Sequence, residues 1–418
     1  MDNWTTETKL AFSRRLRRFG VKTKSTMQSK GKQKLIILAA LAALILIFII
    51  LNRNFINSYN MLSMAQSLAP YAIMGLFVTF AIATGGIDLS IGTVCIASAV
   101  VAGKLYTTGT VPLWAVIPIM IAIGTLFGLI NGFLIAKLKL PAFIATLGTM
   151  MFARGMSALL VKAPNIFFPT GTWYNKVFSN ANGLPVGLFW VLGLMILCMY
   201  LMYKNKIGRY ILSIGSNEEA TRLSGINTDK YKIIAYTLTG LGAGIAAIFW
   251  SASFTTVAAA TGNGMELDAI AGVYIGGTSA AGGVASVTGS VIGAVMLVVI
   301  RSGLNFVLAK FNLNLNATYV TYVLTGIIVV FAVLMDVIKE KKAARVKIED
   351  SVSRHKRITG ELYEEYQIKM DLLVSRSDMA KEEKRKAVRA LRKEMKDFKE
   401  KRAEEFCTLR QEASKKLH

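Results

Sequence analysis

Five ionisable residues lie inside long apolar stretches of this 418-residue chain, where a charged side chain is costly. They are Asp88, Arg154, Glu266, Asp268 and Arg301. Such residues line or gate a polar path, or else they form structural pairs or lie near the ends of the apolar segments. Both interpretations stay open for the three acids, as does the pairing of one acid with Arg301.

Two asparagines, Asn131 and Asn305, also fall within apolar stretches. An amide there can bind a hydroxyl group of a solute, or it can bind only a neighbouring helix. Four aromatic residues at the ends of apolar stretches are Phe143, Trp250, Phe254 and Tyr274. They can stack on a ring of a solute, although aromatic residues in such places commonly anchor a helix at the membrane interface.

The sequence offers little that would support catalysis. Both histidines, His355 and His418, lie near the C-terminus, and no G-x-x-x-x-G-K-[ST] phosphate loop occurs. The three cysteines, Cys95, Cys198 and Cys407, have no spacing typical of a metal site or a disulfide framework. We therefore predict a protein that is not an enzyme, holds no cofactor or metal, and relies on another chain for any ATP hydrolysis.

The elements that position these residues are predicted to be membrane-spanning helices. The chain is 53% hydrophobic with a mean hydropathy of +0.47, and its apolar runs of about 17–25 residues are long enough to cross a bilayer. This pattern predicts an all-α polytopic membrane protein with about ten spans. The predicted spans are approximately 35–51, 61–83, 89–107, 112–136, 142–162, 186–203, 232–254, 266–280, 285–309 and 318–338.

The net charge of +24 is concentrated in the two terminal segments. Residues 1–34 hold ten Lys or Arg and two acids, and residues 339–418 hold 24 Lys or Arg and 16 acids. Because both segments flank predicted spans, they indicate the cytoplasmic side and contact with anionic membrane lipid. We do not expect a nucleic acid to bind.

The loops between spans carry the same charge bias. Lys137 and Lys139 follow the fourth span, and six Lys or Arg lie between residues 204 and 232, after the sixth. The loops assigned to the other side hold only scattered cations, namely Arg53, Lys104, Lys162, Lys176 and Lys310. The positive-inside rule therefore places both termini in the cytoplasm.

A weak internal repeat relates the two halves. "GGIDLSIGTV" at 85–94 and "GMELDAIAGV" at 264–273 each begin a small-residue span with a glycine and an acid. The span count gives the two motifs opposite orientations, and inverted halves with interrupted spans are typical of transporters; chance similarity of glycine-rich segments stays an alternative. Glycines at four-residue spacing predict close helix packing, or sliding during transport: Gly124, Gly128, Gly132, Gly240, Gly244, Gly272, Gly276, Gly289 and Gly293.

The polar stretch after the sixth span has the pattern of a short helix. Ser216 or Asn217 is a candidate N-cap, Glu218 and Glu219 favour the positive end of the helix, and Gly225 suits its C-terminal stop. Such a helix connects two spans or docks in a groove on a partner.

An apolar stripe on this helix would contain Ala220, Leu223 and Ile226. Lys230 and Lys232 follow it, and we expect them only to hold the end of the next span in place.

Four blocks of sequence resemble the permease family of carbohydrate ABC importers, specifically its ribose-type branch. They are "GGIDLSIGTV", "NGFLIAKLKLPAFIATLGTM", "GRYILSIGSNEEATRLSGI" and "ELDAIAGVYIGGTSAAGGVASVTGSVIGA", and the resemblance covers about residues 35–338. It implies a bundle of about ten helices in two related halves, located in the bacterial plasma (inner) membrane. It further implies a second permease subunit, identical or different, a cytoplasmic ABC ATPase and an extracytoplasmic sugar-binding protein.

The resemblance also implies site residues. The loop at about 204–231 would contain the coupling helix that docks into the ATPase, with contacts from Asn217, Glu218, Glu219, Ala220, Arg222, Leu223, Ser224 and Gly225. Asp88, Glu266 and Asp268 match signature positions of the family. Together with Asn131 and Asn305 they are our candidates for the translocation path.

Two segments depart from the family pattern, the basic arm at 1–34 and the tail at 339–418. The tail carries apolar residues at helical spacing, namely Val388, Leu391, Met395 and Phe398, which predicts a helix or short coiled coil. A partly disordered, solvated tail is the alternative.

The expected function is ATP-driven import of a ribose-, galactose- or xylose-type monosaccharide by alternating access. The alternatives are a nucleoside ABC permease, an ion-coupled secondary transporter, and a membrane scaffold or receptor that signals through its tail.

Overall fold

The computed structural model describes residues 35–160, 165–311, 317–375 and 380–417, and these are mostly helical. The α-helices are α1 Leu35–Leu51, α2 Ser58–Ala83, α3 Ile91–Thr107, α4 Val116–Ala136, α5 Ala142–Leu160, α6 Trp173–Phe178, α7 Val186–Met199, α8 Lys206–Ser216, α9 Glu218–Leu223, α10 Thr228–Phe254, α11 Met265–Ile275, α12 Val287–Lys310, α13 Ala317–Ser375 and α14 Lys381–Leu417. Two short strands, β1 Ile166–Phe167 and β2 Thr256–Val257, pair antiparallel.

Six helical segments of the described chain are long and apolar enough to cross a membrane: Ser58–Ala83, Leu113–Ala136, Ala142–Leu160, Val186–Lys204, Thr228–Phe254 and Val287–Leu308. Leu35–Leu51, Ile91–Thr107 and Tyr319–Ile328 are shorter apolar helices. The predicted class of polytopic helical membrane protein is confirmed. The count of ten spans stays a prediction.

Helices α4 and α10 pack against each other through glycine. A Cβ atom added to Gly128 would lie 2.8 Å from the Cα of Gly240, and one added to Gly244 would lie 2.8 Å from the Cα of Ile121. Real Cβ atoms do not approach backbone this closely, so the two helices are in direct backbone contact. Glycines of α11 and α12 meet in the same way, with Gly272 against Ala294. The predicted close packing is thus present at these glycines, and their sliding during transport stays a prediction.

Four connections lie together at one end of the helix bundle. Gly283, in the loop after α11, donates its N–H to the carbonyl of Ala83 at the end of α2, at 3.0 Å. A Cβ atom on Gly282 would lie 2.6 Å from the N of Gly85 and 3.0 Å from the Cα of Gly215 in α8. The loop between α4 and α5 joins the same group, because its Lys137 and Lys139 form ion pairs with Asp229 at the start of α10. These are four of the connections that the charge pattern assigns to one side.

Other connections meet at a different end. The strand pair joins the segment after α5 to the segment after α10, and Phe168 N–H donates to the Thr255 carbonyl at 2.7 Å. Lys310, at the end of α12, donates to the carbonyl of Leu51 at the end of α1, at 2.5 Å. The grouping of loops at two ends agrees with the alternation expected from the span count, and which end faces the cytoplasm stays a prediction.

The chain divides into two compact units, one ending at Val333 and the other covering Leu334–His418. Within the second unit α14 packs against α13. The ring of Phe398 lies 5.6 Å from that of Tyr366, and the Tyr366 hydroxyl donates to Glu394 at 3.2 Å. The residues of the predicted apolar stripe, Val388, Leu391, Met395 and Phe398, are all half-buried.

Candidate functional site

The polar stretch folds into two helices, α8 and α9, which join at Asn217. The Asn217 side chain accepts a hydrogen bond from the backbone N–H of Ala220 at 2.9 Å, so Asn217 is the N-cap of α9 and Ser216 is not. After α9 the chain turns at Gly225, where φ is +80°, a conformation that favours glycine. The predicted cap and stop are both present.

Helix α8 was not foreseen in the sequence. It buries Gly208, Ile211 and Ile214 against the bundle, and the i, i+3 spacing of its isoleucines is the signal that would have revealed it. Just before α8, a π-helical turn at Tyr200–Lys204 ends the preceding span. The Tyr203 hydroxyl in this turn donates to the Ala285 carbonyl at 3.0 Å, which ties the turn to the segment just before α12.

An ionic cluster fixes α9 to the bundle. Lys232 Nζ lies 2.6 Å from Glu218 Oε2, and Arg222 Nη2 lies 3.2 Å from Glu218 Oε1. Asp229 lies 2.6 Å from Lys139 Nζ and 3.9 Å from Arg222 Nη2. The sequence predicts that Lys232 only holds the end of α10 in place. The structure shows that Lys232 also connects α10 directly to α9.

The electrostatics of the ionic cluster favour a charged Glu218. Burial raises the pKa of Glu218, but the hydrogen bond from Lys232 and the positive charges of Lys232, Arg222 and Lys139 outweigh burial and bring the pKa below its ordinary value. Glu218 is therefore ionised at neutral pH and holds both cations.

The outer face of α9 is open. Leu223 is 89% exposed, whereas Thr221 on the opposite face is buried. Glu219, Ala220 and Ser224 are exposed beside Leu223. An exposed leucine with a polar rim, on a helix that ion pairs fix to the bundle, is suited to dock into a groove on a partner.

A first buried polar network joins α3, α4 and α5. Asp88 Oδ1 accepts from both the N–H and the hydroxyl of Ser90, at 2.8 and 2.6 Å. Asn131 donates to the Ser90 hydroxyl at 2.9 Å and accepts from the Thr149 hydroxyl at 2.8 Å. Asp88 and Asn131 are both fully buried. The amide of Asn131 thus binds side chains of neighbouring helices, which is one of the two roles that the sequence allowed for it.

A second network joins α2, α11, α12 and α13. The Arg301 guanidinium donates to Asp268 Oδ2 and to the Tyr71 hydroxyl, and its carbon lies 4.9 Å from the centre of the Tyr71 ring. Thr325 donates to Asp268 Oδ1 at 3.2 Å. Asp268 is thus the acid that pairs with Arg301.

Glu266 belongs to neither network. Its Oε1 accepts from the N–H of Gly264 at 3.3 Å, while its Oε2 is buried with no hydrogen-bond partner among the described residues. It lies where the first turn of α11 meets α3: a Cβ atom on Gly92 would be 2.6 Å from the Glu266 N. The two acidic motifs of the repeat therefore start helices that touch in the interior.

A cavity of about 290 Å³ opens beside the second network, between α2, α10 and α12. Its lining residues are Asn60, Ser63, Met64, Ser67, Tyr71, Trp250, Phe254, Val298, Arg301, Ser302 and Asn305. Asn305 thus shares this cavity with Arg301, the partner of Asp268, whereas Asp88, Asn131 and Glu266 are not among its lining residues. Of the four aromatic candidates, Trp250 and Phe254 line it.

Comparison with known proteins gives a consistent result. A profile described as "Branched-chain amino acid transport system / permease component" matches residues 60–333. A ribose import permease of Escherichia coli K12 is 36% identical over 310 residues, which cover 72% of this chain and 92% of that protein. A ribose import permease of Bacillus subtilis 168 is 35% identical, covering 75% of this chain and 94% of its own length.

A fructose import permease of Bifidobacterium longum is 33% identical over 318 residues, covering 72% of this chain and 91% of that protein. The matched region begins at α2 and includes both acidic motifs, both polar networks, the cavity and α9. The chain therefore belongs to this family of integral membrane transport permeases, in which its relatives are sugar import permeases.

Proposed function

We propose that the chain is the transmembrane permease subunit of an ABC importer that takes up a monosaccharide by alternating access. Its ATP would be hydrolysed by a separate cytoplasmic ATPase, and an extracytoplasmic binding protein would deliver the sugar. The names of its relatives support the substrate class. The observation that carries the proposal is the structure of α9. This helix is capped at Asn217, is fixed to α10 by the ion pair of Glu218 with Lys232, and exposes Leu223 on its outer face.

The ionic cluster gives a route by which movement of α9 reaches the bundle. Glu218 of α9 is bound to Lys232 of α10, and Arg222 of α9 lies near Asp229 of α10, which is bound to Lys139 after α4. Because α4 and α10 are in direct backbone contact, they would move together when α9 is displaced. ATP-driven closure of two ATPase domains would thus rock the helices that surround the polar networks.

The finer assignments belong to the same proposal. The bundle would have ten spans in two inverted halves, with both termini in the cytoplasm of a bacterium and a second permease subunit, identical or different, beside it. The translocation path would pass Asp88, Asn131, Glu266, Asp268 and Asn305. The contact with the ATPase would be made by Asn217, Glu218, Glu219, Ala220, Arg222, Leu223, Ser224 and Gly225.

The test is capture of the ATPase by the detergent-solubilised chain. Leu223→Asp places a charge on the exposed face of α9, and Gly225→Pro forbids the positive φ that ends the helix. We expect both variants to insert normally and to lose at least tenfold in captured ATPase. The matched control is Leu184→Asp, an exposed leucine in the turn before α7. ATPase capture by both α9 variants at the wild-type level would contradict the docking site.

A second candidate function is ion-coupled secondary transport. Glu266 favours it, because its buried Oε2 has no hydrogen-bond partner among the described residues and a carboxylate in that position can bind a proton or a cation. Uptake that needs an ion gradient and no ATPase would identify this function.

A further inference from the structure

The cavity between α2, α10 and α12 has the size of a small-ligand site. Its volume of about 290 Å³ is at the lower end of the range for ligand pockets, about 300 Å³. It combines aromatic surface with hydroxyl and amide groups on three different helices. Each of these helices contributes near one terminus: Asn60 and Ser63 near the start of α2, Phe254 at the end of α10 and Asn305 near the end of α12.

One wall of the cavity is aromatic. The rings of Tyr71 and Trp250 meet edge to face at 6.1 Å, and those of Trp250 and Phe254 lie 4.3 Å apart. Trp250 lines the cavity although it is only 8% exposed, and its indole Nε1 is itself buried, so this N–H is not accessible from the cavity. What these rings offer a ligand is therefore apolar surface.

The rest of the lining is mostly polar but electrically balanced. Arg301 is bound to Asp268 and Tyr71, so its charge is neutralised within the protein. The side chains of Asn305 and Ser63 make no hydrogen bond with the described residues and are exposed at the cavity. Free amide and hydroxyl groups around a balanced ion pair fit a neutral ligand with several hydroxyl groups better than an anion.

We propose that this cavity is a station within the subunit for a neutral, polyhydroxylated ring, that is, a monosaccharide on its way through the permease. The apolar face of the ring lies against Trp250 and Phe254. Its hydroxyl groups bond to Asn305 and Ser63. This inference rests on the proposed function and adds to it a specific sugar-contacting site.

The position of the cavity agrees with this role. The termini of α2, α10 and α12 that line it are near the end of the bundle where Lys310 binds Leu51, and are far along these helices from α9. If α9 faces the cytoplasm, the station lies on the side from which a binding protein delivers its sugar. A weak site is sufficient there, because the binding protein provides the selectivity.

The first experiment measures ATP-driven uptake by the complete transporter in proteoliposomes, with saturating loaded binding protein. D-Ribose, D-fructose, L-arabinose, D-galactose and D-xylose are the probes. For a sugar that is taken up, we expect Trp250→Leu, which removes an aromatic ring from the cavity wall, and Asn305→Ala, which removes one hydrogen bond, each to lower the uptake rate about 2–10-fold. Trp114→Leu, at a tryptophan that is 65% exposed and outside the cavity, should change nothing.

The second experiment tests occupancy directly and does not depend on the folding of a core variant. Ser63→Cys is introduced with Cys407→Ser, because Cys95 and Cys198 are buried, and the rate of labelling by a small methanethiosulfonate is measured. We expect the transported sugar, at millimolar concentration, to slow labelling at least threefold. The control is Tyr59→Cys, at an 84% exposed residue outside the cavity, where sugar should have no effect.

The outcomes separate the two claims. If no probe is taken up with ATP by the wild type, both the proposed monosaccharide import and the station are overturned. If uptake occurs but the cavity variants transport at the wild-type rate and sugar gives no protection, the station is wrong and the import function stands. Labelling that is slow with and without sugar would show that the cavity is closed to a polar molecule, and this would also overturn the station.

Discussion

Arg301 is the residue whose interactions most clearly join separate helices, because it binds Asp268 of α11 and Tyr71 of α2. We predict that Arg301→Leu destabilises the chain by about 3–5 kcal/mol, since it leaves the carboxylate of Asp268 buried and unpaired. The double variant Asp268→Leu/Arg301→Leu should recover part of this loss. Thermal unfolding in detergent measures both, and a single variant as stable as the wild type would contradict the role of the pair.

Glu218 gives a prediction about pH. Its pKa in the folded chain lies below its ordinary value, so its ion pairs stabilise α9 fully above about pH 4.5 and this stabilisation is lost as pH falls through the folded pKa. Hydrogen exchange of the α9 amides, corrected for intrinsic rates, should accelerate below that pH. Glu218→Gln should show fast exchange already at pH 7.

The matched control for this prediction is Glu219→Gln. Glu219 occupies the same first turn of α9 but is exposed and outside the ionic cluster. It shares the interaction with the helix dipole, so the difference between the two variants isolates the ionic cluster. Equal exchange in both variants would show that Lys232 and Arg222 do not hold α9 through Glu218.

At the scale of single residues, the sequence predicts features that depend only on residues nearby in the chain. Asn217 and Gly225 could be predicted because a cap and a positive φ depend on neighbouring residues only. The partners of Lys232 and Arg301 could not, because the pairing of charges 14 and 33 residues apart is decided by how helices pack. The burial of the Trp250 indole N–H, which has no acceptor among the residues that the structure describes, is likewise a property of the packed structure.

Among the elements, the contact of α4 with α10 is the most sensitive to substitution. We predict that Gly128→Ala lowers stability by about 1–3 kcal/mol, because its Cβ would lie 2.8 Å from the Cα of Gly240, where only backbone movement can relieve the clash. Gly148→Ala in α5 is the control, since a Cβ there meets nothing within 4 Å. Unfolding temperatures that fall equally in both variants would contradict this backbone contact.

The helices themselves followed well from the sequence, because the length of an apolar run and its bounding glycines and charges are local signals. The predicted spans at 35–51 and 142–162, for example, correspond to Leu35–Leu51 and Ala142–Leu160. Helix α8 was not predicted, because two isoleucines three residues apart, Ile211 and Ile214, are a weak periodic signal within a polar stretch. The meeting of α3 with α11 in the interior was not predicted, since the repeat alone does not show where two interrupted helices end.

On the scale of the whole molecule, the family region and the tail must be treated separately. The family match ends at residue 333, which is also where the first compact unit ends. The assigned function therefore belongs to the first unit, and the sequence gives no function for the helices of Leu334–His418. A role of this tail in binding the ATPase or the membrane surface stays a prediction.

The measurement that tests the central claim most directly is sugar uptake by proteoliposomes that contain the chain, its ATPase and its binding protein. We predict uptake that requires ATP inside the vesicles, disappears when the ATPase is omitted, and continues when ionophores dissipate the ion gradients. Uptake that persists without the ATPase and collapses with the ion gradient would contradict the account and identify an ion-coupled transporter.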